Sequence, residues 1–273
     1  MSRVFAVASG KGGVGKSVLT ANLAAAVAQN GIRVLIIDAD IGLRSQDALL
    51  SLENRVVYDL VDLSRGDCLP DQAILASEQI PSLHLLPAAQ FERVKSLSAE
   101  KFRKLIGTLR DRYEFIFIDC PAGIERGLRT VLKAGVDDIA LIVTPDDISV
   151  RSAERTAQVI EEKHGPRPFL IVNRLNHDLV RAGEMMSAQT VSQVLDYPLL
   201  GVVPEDAVVC RSLLKHSLFI NYNCEARDAV LRISARIRGR NVPLPDSGKG
   251  NKHRWFRNLF SGSLKEVAPL DDH

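Results

Sequence analysis

The residues best suited to chemistry lie near the start of the chain. Ser9-Gly10-Lys11-Gly12-Gly13-Val14-Gly15-Lys16-Ser17 contains G-x-x-x-x-G-K-[ST], with Gly10, Gly15, Lys16 and Ser17 in the fixed places. Glycines let a backbone wrap closely around phosphate groups, and the N–H groups of such a loop form an anion nest at a helix N-terminus. Lys16 is expected to reach the β- and γ-phosphates, and Ser17 to coordinate Mg²⁺. Lys11 brings a second positive charge toward the γ-phosphate. The ligand this pattern calls for is ATP with Mg²⁺.

Carboxylates stand at the ends of two apolar runs. Val34-Leu35-Ile36-Ile37 ends in Asp38-Ala39-Asp40, and Phe115-Ile116-Phe117-Ile118 ends in Asp119. Acids placed beside a phosphate loop organise Mg²⁺ or orient an attacking water. Asp119 closes a Walker B pattern and is expected to face the metal, and Asp38 and Asp40 stand at the end of a neighbouring run. Cys120-Pro121-Ala122-Gly123-Ile124-Glu125 follows, with the Pro and Gly of a loop that changes shape with the γ-phosphate. Leu170-Ile171-Val172 leads into Asn173-Arg174, and an Asn amide, both donor and acceptor, suits the N6/N7 edge of adenine. Asp206, after Pro204-Glu205, reads as the N-cap of a helix.

These groups need a scaffold that brings strand ends together. The expected strands are Val4–Ala8, Arg33–Asp38, Leu83–Leu86, Phe115–Asp119, Ile139–Thr144, Phe169–Asn173 and Leu199–Val203. The expected helices are Lys16–Gln29, Ala99–Asp111, Ser149–Lys163, Ser187–Leu195, Asp206–His216 and Glu225–Arg238. Near-continuous apolar strands alternating with helices predict an α/β fold, a doubly wound and mostly parallel sheet covered on both faces. Ligands of such sheets bind at the carboxyl ends of the strands, where every motif above falls.

With 273 residues, one large domain and a short tail fit the length. The net charge of +2 calls for no polyelectrolyte partner, and no specific nucleic acid is expected. No run approaches the roughly 20 apolar residues that span a bilayer. The opening residues are too few for a secretory signal, so a cytoplasmic location is expected. Cys68, Cys120, Cys210 and Cys224 have no C-x-x-C spacing and read as free buried thiols rather than metal ligands.

Composition shifts after residue 240. The domain is expected over 1–240, a flexible Pro/Gly/Ser linker over 241–251, an amphipathic helix over 252–267 and an acidic tail over 268–273. At helical spacing Trp255, Phe256, Leu259, Phe260 and Leu264 make one apolar stripe, flanked by Lys249, Lys252, Arg254, Arg257 and Lys265. Aromatics set among basic side chains describe a helix lying in a membrane interface and favouring anionic lipids. One such segment binds weakly, whereas two on a dimer bind with raised avidity.

The run from Lys11 to Ser17 resembles the deviant Walker A family of P-loop ATPases, whose branches include MinD, ParA and the nitrogenase iron protein. The resemblance extends over nearly the whole chain. Asp40-Ile41-Gly42-Leu43-Arg44, the Asp119–Glu125 string and the C-terminal segment are most similar to the MinD branch. Ser45-Gln46 departs from it, standing where that branch often has Asn-Leu. The resemblance implies an ATP hydrolase that forms a homodimer with ATP, in which Lys11 crosses to the partner's nucleotide. It implies that Asp40 positions the water, with Lys11 and Lys16 also catalytic, and that Asp38 lies near the metal. It implies that Asn173, Arg174, Pro204 and Asp206 frame the adenine. It also implies residence on the inner face of the membrane, recruitment of a MinC-like division inhibitor through 149–155, and a MinE-like regulator. The alternative is a ParA- or FlhG-like ATPase that positions DNA or flagella.

Overall fold

The computed structural model describes residues 2–90, 97–124 and 126–244. Along the chain, β1 (Arg3–Ala8) leads through the Gly-rich loop to α1 (Lys16–Ala28), then β2 (Val34–Asp38) and α2 (Gln46–Leu49). Three short elements follow, α3 (Leu60–Arg65), α4 (Pro70–Ala73) and β3 (Leu75–Ala76), before β4 (Leu83–Leu86) and α5 (Ala99–Arg110). Next come β5 (Phe115–Asp119), α6 (Arg126–Lys133), β6 (Asp138–Val143) and α7 (Asp147–Glu162). The described chain closes with β7 (Phe169–Leu175), α8 (His177–Ala182), α9 (Ala188–Leu195), β8 (Leu199–Pro204), α10 (Ala207–Leu214) and α11 (Glu225–Ile237).

The eight strands form one sheet in the order β3-β4-β2-β5-β1-β6-β7-β8. Every pairing is parallel except β3 with β4. The sheet is mostly parallel, as its near-continuous apolar strands require. Strand β1 lies between β5 and β6, so the chain leaves the middle of the sheet in both directions. Such a reversal opens a crevice at the strand ends, and the phosphate loop leaves β1 there.

Two apolar layers cover the sheet. One holds α1 and α11 against Phe5, Val7, Ile36, Phe117 and Ile142. Helix α1 is buried on nearly all sides, and Ala21, Ala24, Ala25, Ala26 and Ala28 let sheet and helix approach closely. Its hydrophobicity follows from this double burial and so shows no single apolar stripe. The other layer packs α5, α6, α7 and α9 on the opposite face through Phe102, Ile106, Val131, Ile160 and Val191.

The long elements match expectation within two residues at each end. Helix α7 begins earlier than expected because Asp146 caps it, accepting from Ser149 N at 2.9 Å. The expectation of buried thiols holds for Cys68 and Cys120, but Cys210 is exposed on α10 and Cys224 is half-buried. Beyond α11, Arg236 donates to the carbonyls of Val242 at 2.7 Å and Pro243 at 2.6 Å, tying the chain back to the domain. The membrane stripe of Trp255, Phe256, Leu259, Phe260 and Leu264 lies outside the described residues.

Candidate nucleotide and metal site

The loop between β1 and α1 is shaped by its glycines. Gly13 and Gly15 take φ of +80° and +89°, which side chains on L-residues resist. A Cβ at Gly15 would lie 2.5 Å from Asn173 Nδ2, and one at Gly10 would lie 2.1 Å from the Ser152 carbonyl oxygen. Gly12 and Gly13 face open space. The loop is therefore pressed on β7 at one end and α7 at the other, with its middle free. Helix α1 begins at Gly15 with no side-chain cap, so its first N–H groups remain available to an anion.

Beneath the loop lies a buried charge cluster. Lys16 Nζ sits 2.6 Å from Asp119 Oδ1, 3.3 Å from Ser17 Oγ and 3.8 Å from Asp40 Oδ2. Asp119 and Asp38 are wholly buried, and Lys16 is 6% exposed. Asp38 Oδ1 accepts from Asp40 N at 3.0 Å, and Oδ2 from Ser45 N and Gln46 N, each at 3.0 Å. Burial and the neighbouring Asp119 push the Asp38 carboxyl up to about 7, against the pull of those three N–H groups. Burial also raises Asp40, opposed by Lys16. For Lys16, burial disfavours the charge, yet Asp119 and Asp40 outweigh it and hold the ammonium above its ordinary value.

Two carboxyl groups thus face one ammonium, and a third, Asp38, lies beside Asp119. Among the described residues no cluster of acidic, His or Cys side chains could cage an ion alone. The oxygen donors Ser17, Asp38 and Asp119 suit Mg²⁺, which takes few protein ligands and completes its shell with phosphates and water. The thiol of Cys120 adjoins them, but burial pushes it up to about 12, leaving it neutral. The residues fit Mg²⁺ brought by a nucleotide.

On the base side, Asn173 Nδ2 donates to the Val14 carbonyl at 2.7 Å. One of its two amide hydrogens is therefore given to the phosphate loop, a tie beyond the base contact expected of Asn173. Arg174 is exposed with φ +56°, and Glu205 N donates to the Leu175 carbonyl at 3.0 Å, holding the ends of β7 and β8 together beside Pro204. Asp206 caps α10 through Val208 N at 2.9 Å and accepts from Ala226 N at 3.2 Å, joining the starts of α10 and α11. Lys11 stands apart from the buried cluster, half-exposed, its Nζ 3.8 Å from Asp146 Oδ1. Lys11, Gly12, Gly13, Asp146, Arg174 and Glu205 line a cavity of about 260 Å³.

Residues 5–219 match the CobQ/CobB/MinD/ParA nucleotide binding domain. The chain is 38% identical to the septum site-determining protein MinD of Synechocystis over 248 residues, covering 90% of this chain and 93% of that protein. The chain belongs to the MinD family. The MinC:MinD cell division protein complex of Aquifex aeolicus contains a chain with TM-score 0.82 and 32% identity, covering 89% of this chain and 98% of that one. MinD of Pyrococcus horikoshii, solved with Mg-ADP, superposes with TM-score 0.77 at 27% identity, covering 87% and 96%.

Two site residues of this MinD-family chain escaped the sequence reading. Thr20 Oγ1 lies 3.3 Å from Asp119 Oδ1, one helical turn beyond Lys16. Gln46 Nε2 lies 2.6 Å from Asp119 Oδ2. Thr20 follows the loop motif at helical spacing and could have been found; Gln46 reaches the site only through tertiary contact.

Asp38 yields a pH prediction. Its carboxyl titrates near 7 in the fold against an ordinary 3.8. The stability it contributes is fully present below its unfolded pKa and is lost as pH rises through about 7. Melting curves without nucleotide or metal, from pH 5 to 8, should flatten in Asp38→Asn relative to the parent. Parallel curves would contradict the assignment.

Proposed function

We propose that this chain is a Mg²⁺-dependent ATPase that pairs with a second copy around ATP, and that pairing controls its residence on the inner face of the membrane. The observation that carries the nucleotide reading is Lys16, buried against Asp119 beneath a Gly-rich loop whose middle is free. Lys16 would turn to the β- and γ-phosphates, and Ser17 and Asp119 would hold the metal, with Asp38 behind them. Bound Mg²⁺ supplies positive charge to the phosphate oxygens as charge develops on them. Asp40, whose side chain keeps 13% exposure beside the buried cluster, would orient the attacking water. Asn173 Oδ1 would accept from the adenine amino group, with Arg174, Pro204 and Asp206 shaping that wall.

Lys11 supports the dimer reading. It is half-exposed at the rim, and its 3.8 Å contact with Asp146 is long enough to exchange for a partner's phosphate. Gly10 abuts α7 at Ser152, so a loop closing on nucleotide would move against that helix. The exposed Ile148, Arg151, Glu154 and Arg155 of α7 offer a surface for a division inhibitor of the MinC kind. The Aquifex relative solved with MinC supports this reading. A MinE-like protein would then act as regulator.

Among the described residues no helix is long and apolar enough to cross a membrane. The basic aromatic segment 252–267 supports surface attachment to anionic lipids instead. A ParA- or FlhG-like role on DNA or flagella is the competing reading, but phosphate contacts do not call for Trp255 or Phe256.

Asp40→Ala should lower turnover by about 100-fold or more while leaving an ATP-dependent dimer, as loss of a water-orienting group implies. Turnover assays and light scattering check this; parental turnover would overturn the role of Asp40. Anionic vesicles should sediment the full chain with ATP and much less with ADP, and Trp255→Glu should abolish sedimentation while sparing ATP binding. Equal sedimentation with both nucleotides would refute the switch.

A further inference from the structure

We infer that Gln46 is a positioning residue for the metal ion: its Nε2 sets the Asp119 carboxylate, and its Oε1 accepts a hydrogen from a water in the ion's shell. This rests on the Mg-nucleotide reading above. Gln46 opens α2 and is wholly buried. Its Nε2 donates to Asp119 Oδ2 at 2.6 Å and to the Ser17 carbonyl at 3.0 Å. Both partners are acceptors only, so the amide orientation is fixed by chemistry. The backbone N–H of the same residue donates to Asp38 Oδ2 at 3.0 Å. One residue therefore touches both strand-end carboxylates and the backbone of the residue whose hydroxyl would hold the metal.

The other half of the amide carries the inference further. Gln46 Oε1 is buried with no hydrogen-bond partner among the described residues, and neighbouring Ser45 Oγ is likewise unpaired. A buried acceptor without a donor is costly, and a Leu of similar size would avoid that cost. Mg²⁺ keeps several waters when bound, each a donor of hydrogen bonds. Partners of that kind orient metal ligands, and losing one typically costs about 10–100-fold in metal affinity. Because Gln46 begins α2, the same contact links the segment after β2 to the state of the metal.

The test is calorimetric titration of the full-length protein with ADP, once with excess Mg²⁺ and once with EDTA. The parent should bind more tightly with Mg²⁺. Gln46→Leu should lose about tenfold or more of that Mg²⁺-dependent gain and keep its affinity in EDTA. Gln46→Met, of similar length but without the amide, should lose a comparable part of the gain, and it decides the matter if the Leu variant does not fold. An unchanged gain in either folded variant, or an equal fall with and without metal, would overturn the inference. A parent that shows no gain from Mg²⁺ would instead overturn the nucleotide reading beneath it.

Discussion

The site is governed by an imbalance of buried charge. Lys16 is nearly excluded from water against Asp119 and Asp40, and Asp38 is buried beside Asp119. One ammonium cannot neutralise three carboxylates, and burial makes each unneutralised charge expensive. The protein meets part of this cost with hydrogen bonds: three backbone N–H groups on Asp38, and Lys16 and Gln46 on Asp119. The remainder shows as a carboxyl at Asp38 that holds its proton up to about pH 7. The proposed Mg²⁺ would relieve such a cluster.

The fold makes this imbalance possible. Asp38 and Asp119 end neighbouring parallel strands in register, and the loop from β1 arrives between β5 and β6. The alanines of α1 let the helix carrying Lys16, Ser17 and Thr20 lie close on the sheet. Gly10 and Gly15 then join the loop to α7 and β7 through contacts that no side chain could share. A nucleotide held there as proposed would bear on α7, the end of β7 and α2.

Much of this was legible in the chain itself. The apolar runs ending in Asp38 and Asp119 gave both the strands and the acids, because strand burial and strand-end chemistry leave the same trace. The short elements were missed. Helices α2, α3, α4 and α8 and strand β3 are too brief to show periodicity, and α6 is charged, with Gly127 near its start. Gly127 is there because a Cβ would lie 2.2 Å from Pro121 Cγ, a contact invisible in sequence. Gln46 was visible only as a departure from the related chains, and its bonds to Asp119 and Ser17 needed the fold. The Asn173 amide suits a base, yet one of its two amide hydrogens serves Val14. Patterns report which groups gather; they do not report which atoms are already taken.

If metal relieves the carboxylate excess, proton release measures it directly. Calorimetry of ADP binding near pH 7, in buffers of differing ionisation enthalpy, counts the protons exchanged. More protons should be released with Mg²⁺ than with EDTA, and Asp38→Asn should lose that difference. Equal proton counts with and without Mg²⁺ in the parent protein would contradict it.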